Sequence, residues 1–163
     1  MEVKLTLALP RDEYSVPVAR RVLKSSLTTL GVRDEVISDI ELALTEACTN
    51  VLDHAADTDE YELSAGIDGE LCVIEVVDRG AGFDGSLAGL TDAEESAEGG
   101  RGIQLMRSLV DRVTFTSRPM AGTVVHLEKD LEWDADAPVK RLNDEAATEH
   151  GPWSSGGDEA APV

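Results

Sequence analysis

The chain opens on an alternation. In "VKLTLAL", Val3, Leu5, Leu7 and Leu9 alternate with Lys4, Thr6 and Ala8, which is the period of a strand with one buried face. The period then lengthens. Val18, Val22, Ser26/Leu27 and Leu30 recur at helical spacing, with Ser15 and Pro17 as start signals and Gly31 as the stop. A second helix is expected over roughly 34–55, with Val36, Ile40, Ala43/Leu44, Ala47 and Val51 on one face. "YELSAGI" and "LCVIEVVD" follow as two strands, joined by Asp68-Gly69, a dipeptide that favours a type I′ hairpin turn.

After Asp78 the pattern dissolves into "RGAGFDGSLAGLTDAEESAEGGRG", a long glycine-rich segment with no sustained apolar period. An irregular stretch of that length in a compact domain is usually functional or disordered. Ile103, Met106, Leu109/Val110 and Val113 then mark a third helix, and "VTFTS" and "TVVHLE" two more strands around a turn at 119–122. The order β-α-α-β-β-loop-α-β-β predicts an α/β fold: a two-layer α/β sandwich with a mixed, mostly antiparallel sheet and helices on one face. From about Trp133 onward Asp, Ala, Pro, Gly and Ser dominate. The expected organisation is therefore one domain over 1–130 and an acidic, disordered tail over 131–163.

Composition narrows the function more than the fold. The 163 residues suffice for one self-supporting core. No apolar run approaches the roughly 20 residues of a membrane span, and "MEVKLTLALPRDEY" lacks the features of a signal peptide. A cytoplasmic protein without membrane association is expected. Cys48 and Cys72 show neither paired metal spacing nor a secretory context, and read as buried thiols. The net charge of −19 repels phosphate backbones and argues against direct nucleic-acid binding. Residues 128–163 carry ten acids and three bases, net −7, which leaves −12 for residues 1–127. Both domain and tail are acidic, which suits either solubility or a basic protein partner.

Three stretches carry candidate chemistry. "GAGFDG" after a strand matches the dinucleotide fingerprint literally, but "SLAGLTDAEESAEGG" follows it where a crossover helix should begin. "EGGRGIQLM" is better placed, because it opens a helix. Unpaired backbone N–H groups and the dipole at a helix N-terminus favour phosphate, glycines permit close approach, and Arg101 can add a charged fork; taken alone, the stretch fits a glycine-rich turn capping a surface helix better. The third stretch, "ELALTEACTNVLDHA", sets Glu46, Asn50 and His54 at steps of four beside a buried face. Glu46 and Asn50 fall one turn apart, about 6 Å along the axis. A carboxylate at such a rim is partly desolvated, as a general base requires. A neutral amide beside it can coordinate Mg²⁺, which takes few protein ligands and completes its shell with water and phosphate oxygens. The same residues also fit an amphipathic boundary with hydrogen-bonded edges.

Taken in order, these stretches resemble the motifs of the GHKL (Bergerat-fold) ATPase superfamily, the fold of gyrase, heat-shock chaperones and histidine kinases. "ELALTEACTNVLDHA" is similar to its N box, "VVDRGAGFD" to its D-x-G-x-G box, "EGGRGIQLM" to its second glycine box and "AGTVVHLE" to its closing Gly-Thr strand. The N-terminal strand and helix, the "NxxxH" at Asn50 to His54 and the short loop between glycine boxes look most like the bacterial anti-sigma-factor serine kinases. That resemblance spans about 3–128 and leaves the tail unexplained.

The resemblance implies ATP and Mg²⁺ as ligands. Asp78, aided by Thr123, would recognise the adenine amino group, and Asn50 would hold Mg²⁺. Glu46 would be the catalytic base, taking a proton from a serine of a protein substrate. Gly80 and Gly82 would shape the adenine wall, Gly99, Gly100, Arg101 and Gly102 would contact phosphates, and residues 83–98 would form a lid. Ile103 departs from the Leu or Met common in the family, and "TDAEES" makes that lid unusually acidic. The implied partners are a sigma factor, an antagonist (anti-anti-sigma) protein carrying the phosphorylated serine, and a second copy in a homodimer. An alternative is a non-catalytic ATP- or ADP-binding module that regulates a protein partner; another is an acidic interaction protein whose glycine loops bind nothing.

Overall fold

The computed structural model describes residues 2–53, 59–78, 100–118 and 122–140. Along the chain these form β1 (Glu2–Pro10), α1 (Ser15–Leu30), α2 (Asp34–Asp53), β2 (Glu60–Asp68), β3 (Leu71–Asp78), α3 (Gly100–Leu109), β4 (Arg112–Arg118) and β5 (Gly122–Asp130). The sheet order is β1-β2-β3-β5-β4, and every ladder is antiparallel, where the sequence suggested a mixed sheet. The reason is topological. After β3 the chain returns through α3 to the far edge, and β5 then folds back between β4 and β3, so no parallel neighbours meet. Among the described residues no helix is long and apolar enough to cross a membrane.

Alternation determines what the sheet presents to the helices. Tyr61, Leu63, Ala65 and Ile67 of β2, Cys72, Ile74 and Val76 of β3, and Val125 and Leu127 of β5 are all buried. The opposite face is open, with Lys4, Thr6, Ser64, Gly66 and Glu75 around a shallow depression. The helices lie on the buried side, where α2 packs on β3 and β5, α1 on β1 and α3 on β4. At the centre, α2 buries Val36, Ile37, Ile40, Ala43, Leu44, Ala47, Cys48, Asn50 and Val51. Each large aliphatic side chain so placed contributes about 1.5–3 kcal/mol. This makes α2 the most firmly held platform for a site.

Three expectations need correction. In α1 the buried set is Ser15, Val16, Ala19, Leu23 and Leu27, while Val18 is exposed. The i, i+4 series begun at Val18 traces the flank of the helix, because the packed stripe runs from Val16 through Ala19. In the β2–β3 hairpin Asp68 is still paired, with Leu71, so the two-residue loop is Gly69-Glu70. Gly69 takes φ +60° at the first loop position, the left-handed value that tight hairpin turns demand.

The third correction concerns the boundary at 130. Residues 131–140 fold back onto the α1–α2 corner as a strap, with Leu131, Ala137 and Val139 buried. Val32 bridges Trp133, and backbone N–H groups of Arg33 and Asp134 donate to Glu132 and Gly31 carbonyls. The apolar residues scattered through this stretch are its anchors, so it belongs to the domain and not to the expected tail. Gly31 caps α1 at φ +87°, and a Cβ there would stand 2.7 Å from Ala137 Cα. Residues 141–163 lie outside the described residues.

Candidate functional site

The sheet supplies one side of the site. The alternation that buries Cys72, Ile74 and Val76 also turns Asp78 inward at the end of β3, where it is 0% exposed. Thr123, its register partner on β5, is likewise 0% exposed. A buried carboxylate costs several kcal/mol unless it is paired. Arg11, just beyond β1, supplies a cation, with its guanidinium 3.3 Å from Asp78 Oδ2. The same guanidinium donates to the carbonyls of Val51 at 3.2 Å and Leu52 at 2.8 Å.

The other side comes from α2 and α3. Asn50 is buried, 8% exposed, although its side chain is polar. Its Nδ2 has no hydrogen-bond partner among the described residues. Leaving such a group unsatisfied costs about 1–3 kcal/mol, which is tolerable where a ligand or ordered water completes the bonding. Glu46, one turn earlier, is half-buried. Facing both is the first turn of α3: a Cβ at Gly102 would lie 3.0 Å from Glu46 Oε2, 3.4 Å from Asn50 Oδ1 and 3.5 Å from Asn50 Nδ2. The helix N-terminus meets the acid and the amide across a position with no side chain.

The fold thus brings Glu46, Asn50 and Gly102 together, and pairs Asp78 with Thr123. Gly100 and Arg101 share the α3 opening turn, with Arg101 exposed to solvent. Gly80, Gly82, Gly99, His54 and residues 83–98 lie outside the described residues. Sequence reasoning missed Arg11. It sits in the polar "PRDEY" connection, where neither periodicity nor motif distinguishes it from a solvated charge. Chemically, the arrangement offers a buried acceptor for a donor group, a neutral amide for a hard cation, a carboxylate able to take a proton and backbone N–H groups for an anion.

Away from the site, Ser15 Oγ and Tyr61 OH are 2.7 Å apart beneath α1. Both cysteines are buried free thiols. Burial pushes Cys48 and Cys72 each up to about 12. Tyr61, chiefly through burial and secondly through Cys48, also rises to about 12.

An antiparallel sheet under helices, with an inward acid ending a central strand and an acid–amide pair facing a glycine-opened helix, defines an ATP-binding α/β sandwich of the Bergerat type. The chain belongs to the histidine kinase-like ATPase domain family, whose model matches residues 9–129. The serine-protein kinase RsbW of Halalkalibacterium halodurans is 31% identical over 139 residues, covering 80% of this chain and 85% of that protein. The serine-protein kinase RsbW of Bacillus subtilis is 27% identical over 150 residues, covering 83% of this chain and 92% of that protein. Among solved structures, the RsbU and RsbW domains of a Mycobacterium tuberculosis protein match with a TM-score of 0.63 at 21% identity. That match covers 82% of this chain and 34% of the other, and is a likeness of fold.

Proposed function

We propose that this chain is an ATP-dependent protein serine kinase of the anti-sigma type, which sequesters a sigma factor and phosphorylates a serine on an antagonist protein. The observation that carries the reading is the close approach of Gly102 to Glu46 and Asn50, which sets a base and an amide against a phosphate-binding helix N-terminus. The residues fit a magnesium nucleotide. Asn50 Oδ1 is a neutral oxygen suited to a hard cation, its buried Nδ2 is a donor without a partner among the described residues and suits a phosphate oxygen, and the facing backbone is bare at Gly102.

In this reading Asp78 accepts a hydrogen bond from the exocyclic amine of adenine, with Thr123 beside it. Asn50 Oδ1 would hold Mg²⁺, and the N–H groups of Gly100, Arg101 and Gly102 would bind phosphate oxygens. Bound ATP with Mg²⁺ supplies the γ-phosphoryl group and much of the charge that offsets its negative oxygens. Glu46 takes the proton from the serine hydroxyl as its Oγ–P bond forms and the bond from the γ-phosphorus to the β,γ-bridging oxygen breaks, releasing ADP. Positioning and charge stabilisation provide most of the acceleration. The partners are a sigma factor, the antagonist protein and a second copy of the chain, all in the cytoplasm.

The test is transfer of labelled γ-phosphate to candidate antagonists by wild type and Glu46→Gln. The variant should bind ATP within a few-fold of wild type yet transfer on the order of 10²- to 10⁴-fold more slowly. Wild type that binds ATP but phosphorylates no antagonist, or a variant that transfers at the wild-type rate, refutes the assignment.

A further inference from the structure

Arg11 belongs to none of the motifs and sits outside the helices and strands, yet its guanidinium joins three acceptors from two distant segments. It donates from one amino group to Asp78 Oδ2 at 3.3 Å and from the other to the carbonyls of Val51 and Leu52 at 3.2 and 2.8 Å. Its own backbone is anchored too, because Arg11 N–H donates to the Asp59 carbonyl at 2.8 Å. A planar guanidinium held by both prongs has little freedom of orientation. The side chain is 14% exposed, so it is removed from water as well as from choice of partner.

Each contact answers a local need. The last carbonyls of a helix lack intrahelical acceptor duty and carry the negative end of its dipole, and α2 has no basic residue in its last turn. Arg11 supplies that charge from the β1–α1 connection. On the other prong, the approach to Asp78 is longer than the roughly 2.7–2.9 Å of an optimal charge-assisted bond. The guanidinium is held at the helix end by two carbonyls and reaches the acid from there. The contact therefore ties the carboxylate of Asp78 to the end of α2 through one rigid group.

We propose that Arg11 is a positioning residue for base recognition: it ties Asp78 to the end of α2 and so aims the carboxylate at the 6-amino group of the purine. Discrimination in favour of a 6-aminopurine then depends on a residue outside the nucleotide motifs. This inference rests on the reading of Asp78 as the adenine acceptor, and the experiment separates the two.

The affinities of ADP and of purine riboside 5′-diphosphate, in which hydrogen replaces the 6-amino group, are measured by calorimetry with Mg²⁺. Full-length wild type, Arg11→Ala, Arg11→Lys and Arg11→Gln are compared, with thermal melts alongside. Wild type should prefer ADP on the order of 10²-fold, since the analogue leaves a buried carboxylate short of its donor. Arg11→Ala should cut that preference at least tenfold, and Arg11→Lys, which keeps the charge without the fork, should fall between. A purely structural role would weaken both ligands equally and leave the ratio intact, and that result overturns the proposal while the reading of Asp78 stands. A wild-type preference near unity overturns the reading of Asp78 and the proposal with it. Should the alanine variant fail to fold, Arg11→Gln, which retains N–H donors but not the charge, is judged by the same loss of ratio.

Discussion

Replacing Gly102 by alanine separates stability from activity, and the structure gives the size of each effect. The added Cβ would sit 3.0 Å from Glu46 Oε2, against an optimal heavy-atom separation of about 3.5 Å, so one of them must yield by about 0.5 Å. The atom that yields is the tip of a flexible carboxylate rather than backbone, so the cost to folding is that of an off-rotamer side chain, about 0.5–1.5 kcal/mol. Alanine in place of glycine within a helix returns up to about 1 kcal/mol. The two nearly cancel, and the melting temperature should stay within a few degrees, about 2–4 °C, of wild type. Activity has no such compensation. A displacement of 1 Å costs about 10²-fold where reacting groups must be aligned, so half of that predicts about a tenfold slower phosphoryl transfer with ADP still bound. Full activity in Gly102→Ala would refute the proposed role of Glu46 as a base that acts from its observed place. A melting temperature lowered by 10 °C or more would show that the backbone, not the carboxylate, had moved.

Three further predictions concern the frame. Gly31→Ala should lower the melting temperature by at least about 5 °C, since φ is +87° and the new Cβ would lie 2.7 Å from Ala137 Cα and 2.9 Å from Pro138 Cδ; left-handed strain and overpacking together cost about 2–5 kcal/mol. A chain ending at Asp130 should melt well below one ending at Lys140, because it loses buried Leu131, Ala137 and Val139, with Leu and Val worth about 1.5–3 kcal/mol each; equal melting would remove the strap from the domain. Stability should also fall in alkali. Cys48 and Cys72 rise from 9.0 to about 12 and Tyr61 from 10.0 to about 12 on folding, so their contribution is complete below about pH 9 and is lost as pH rises toward 12. Denaturant midpoints from pH 7 to 11 measure this, and a midpoint flat to pH 11 refutes it.

How much of this was legible depends on which interactions are local. The strands and α2 were visible because alternation and helical spacing are imposed by the solvent on every residue, as in Leu5/Leu7/Leu9 or Ile40/Ala43/Leu44/Ala47. The side of the site built on α2 was legible for the same reason: Glu46 and Asn50 are one turn apart in any helix. Asp78 could be placed inward from the alternation of β3, but its pairing with Thr123 needed the register of β5, which no spacing encodes. The strap escaped because its anchors, Leu131, Ala137 and Val139, lack any period, being spaced by the shape of the α1–α2 corner. Arg11 escaped because a long side chain spans about 40 residues of sequence to Val51 and 67 to Asp78, and nothing at either end announces it. In α1 the period is legible and the phase is not, since two apolar series share that helix and only packing chooses between them.

The electrostatics of the site follow from where the neutral group stands. In a chain of net charge −19, the proposed nucleotide site already contains two acids, Glu46 beside the α3 N-terminus and Asp78 at the sheet end. Asp78 is offset by Arg11 at 3.3 Å; the Arg11 guanidinium is engaged there and at the end of α2. Among the described residues, Asn50, an amide, also faces the first turn of α3, where the proposed reading puts the phosphates. A carboxylate at that position, one turn from Glu46 on the same helix, would add like charge opposite the ligand and in a buried setting, where Coulomb repulsion is least screened. In the proposed reading an amide would give a metal its oxygen without that penalty, and the attraction for the anion would come from the helix dipole, Arg101 and the metal. The buried Nδ2 of Asn50, without a partner among the described residues, is a donor that the same reading would direct at a phosphate oxygen, so both ends of the amide would serve the ligand where a second carboxylate would oppose it.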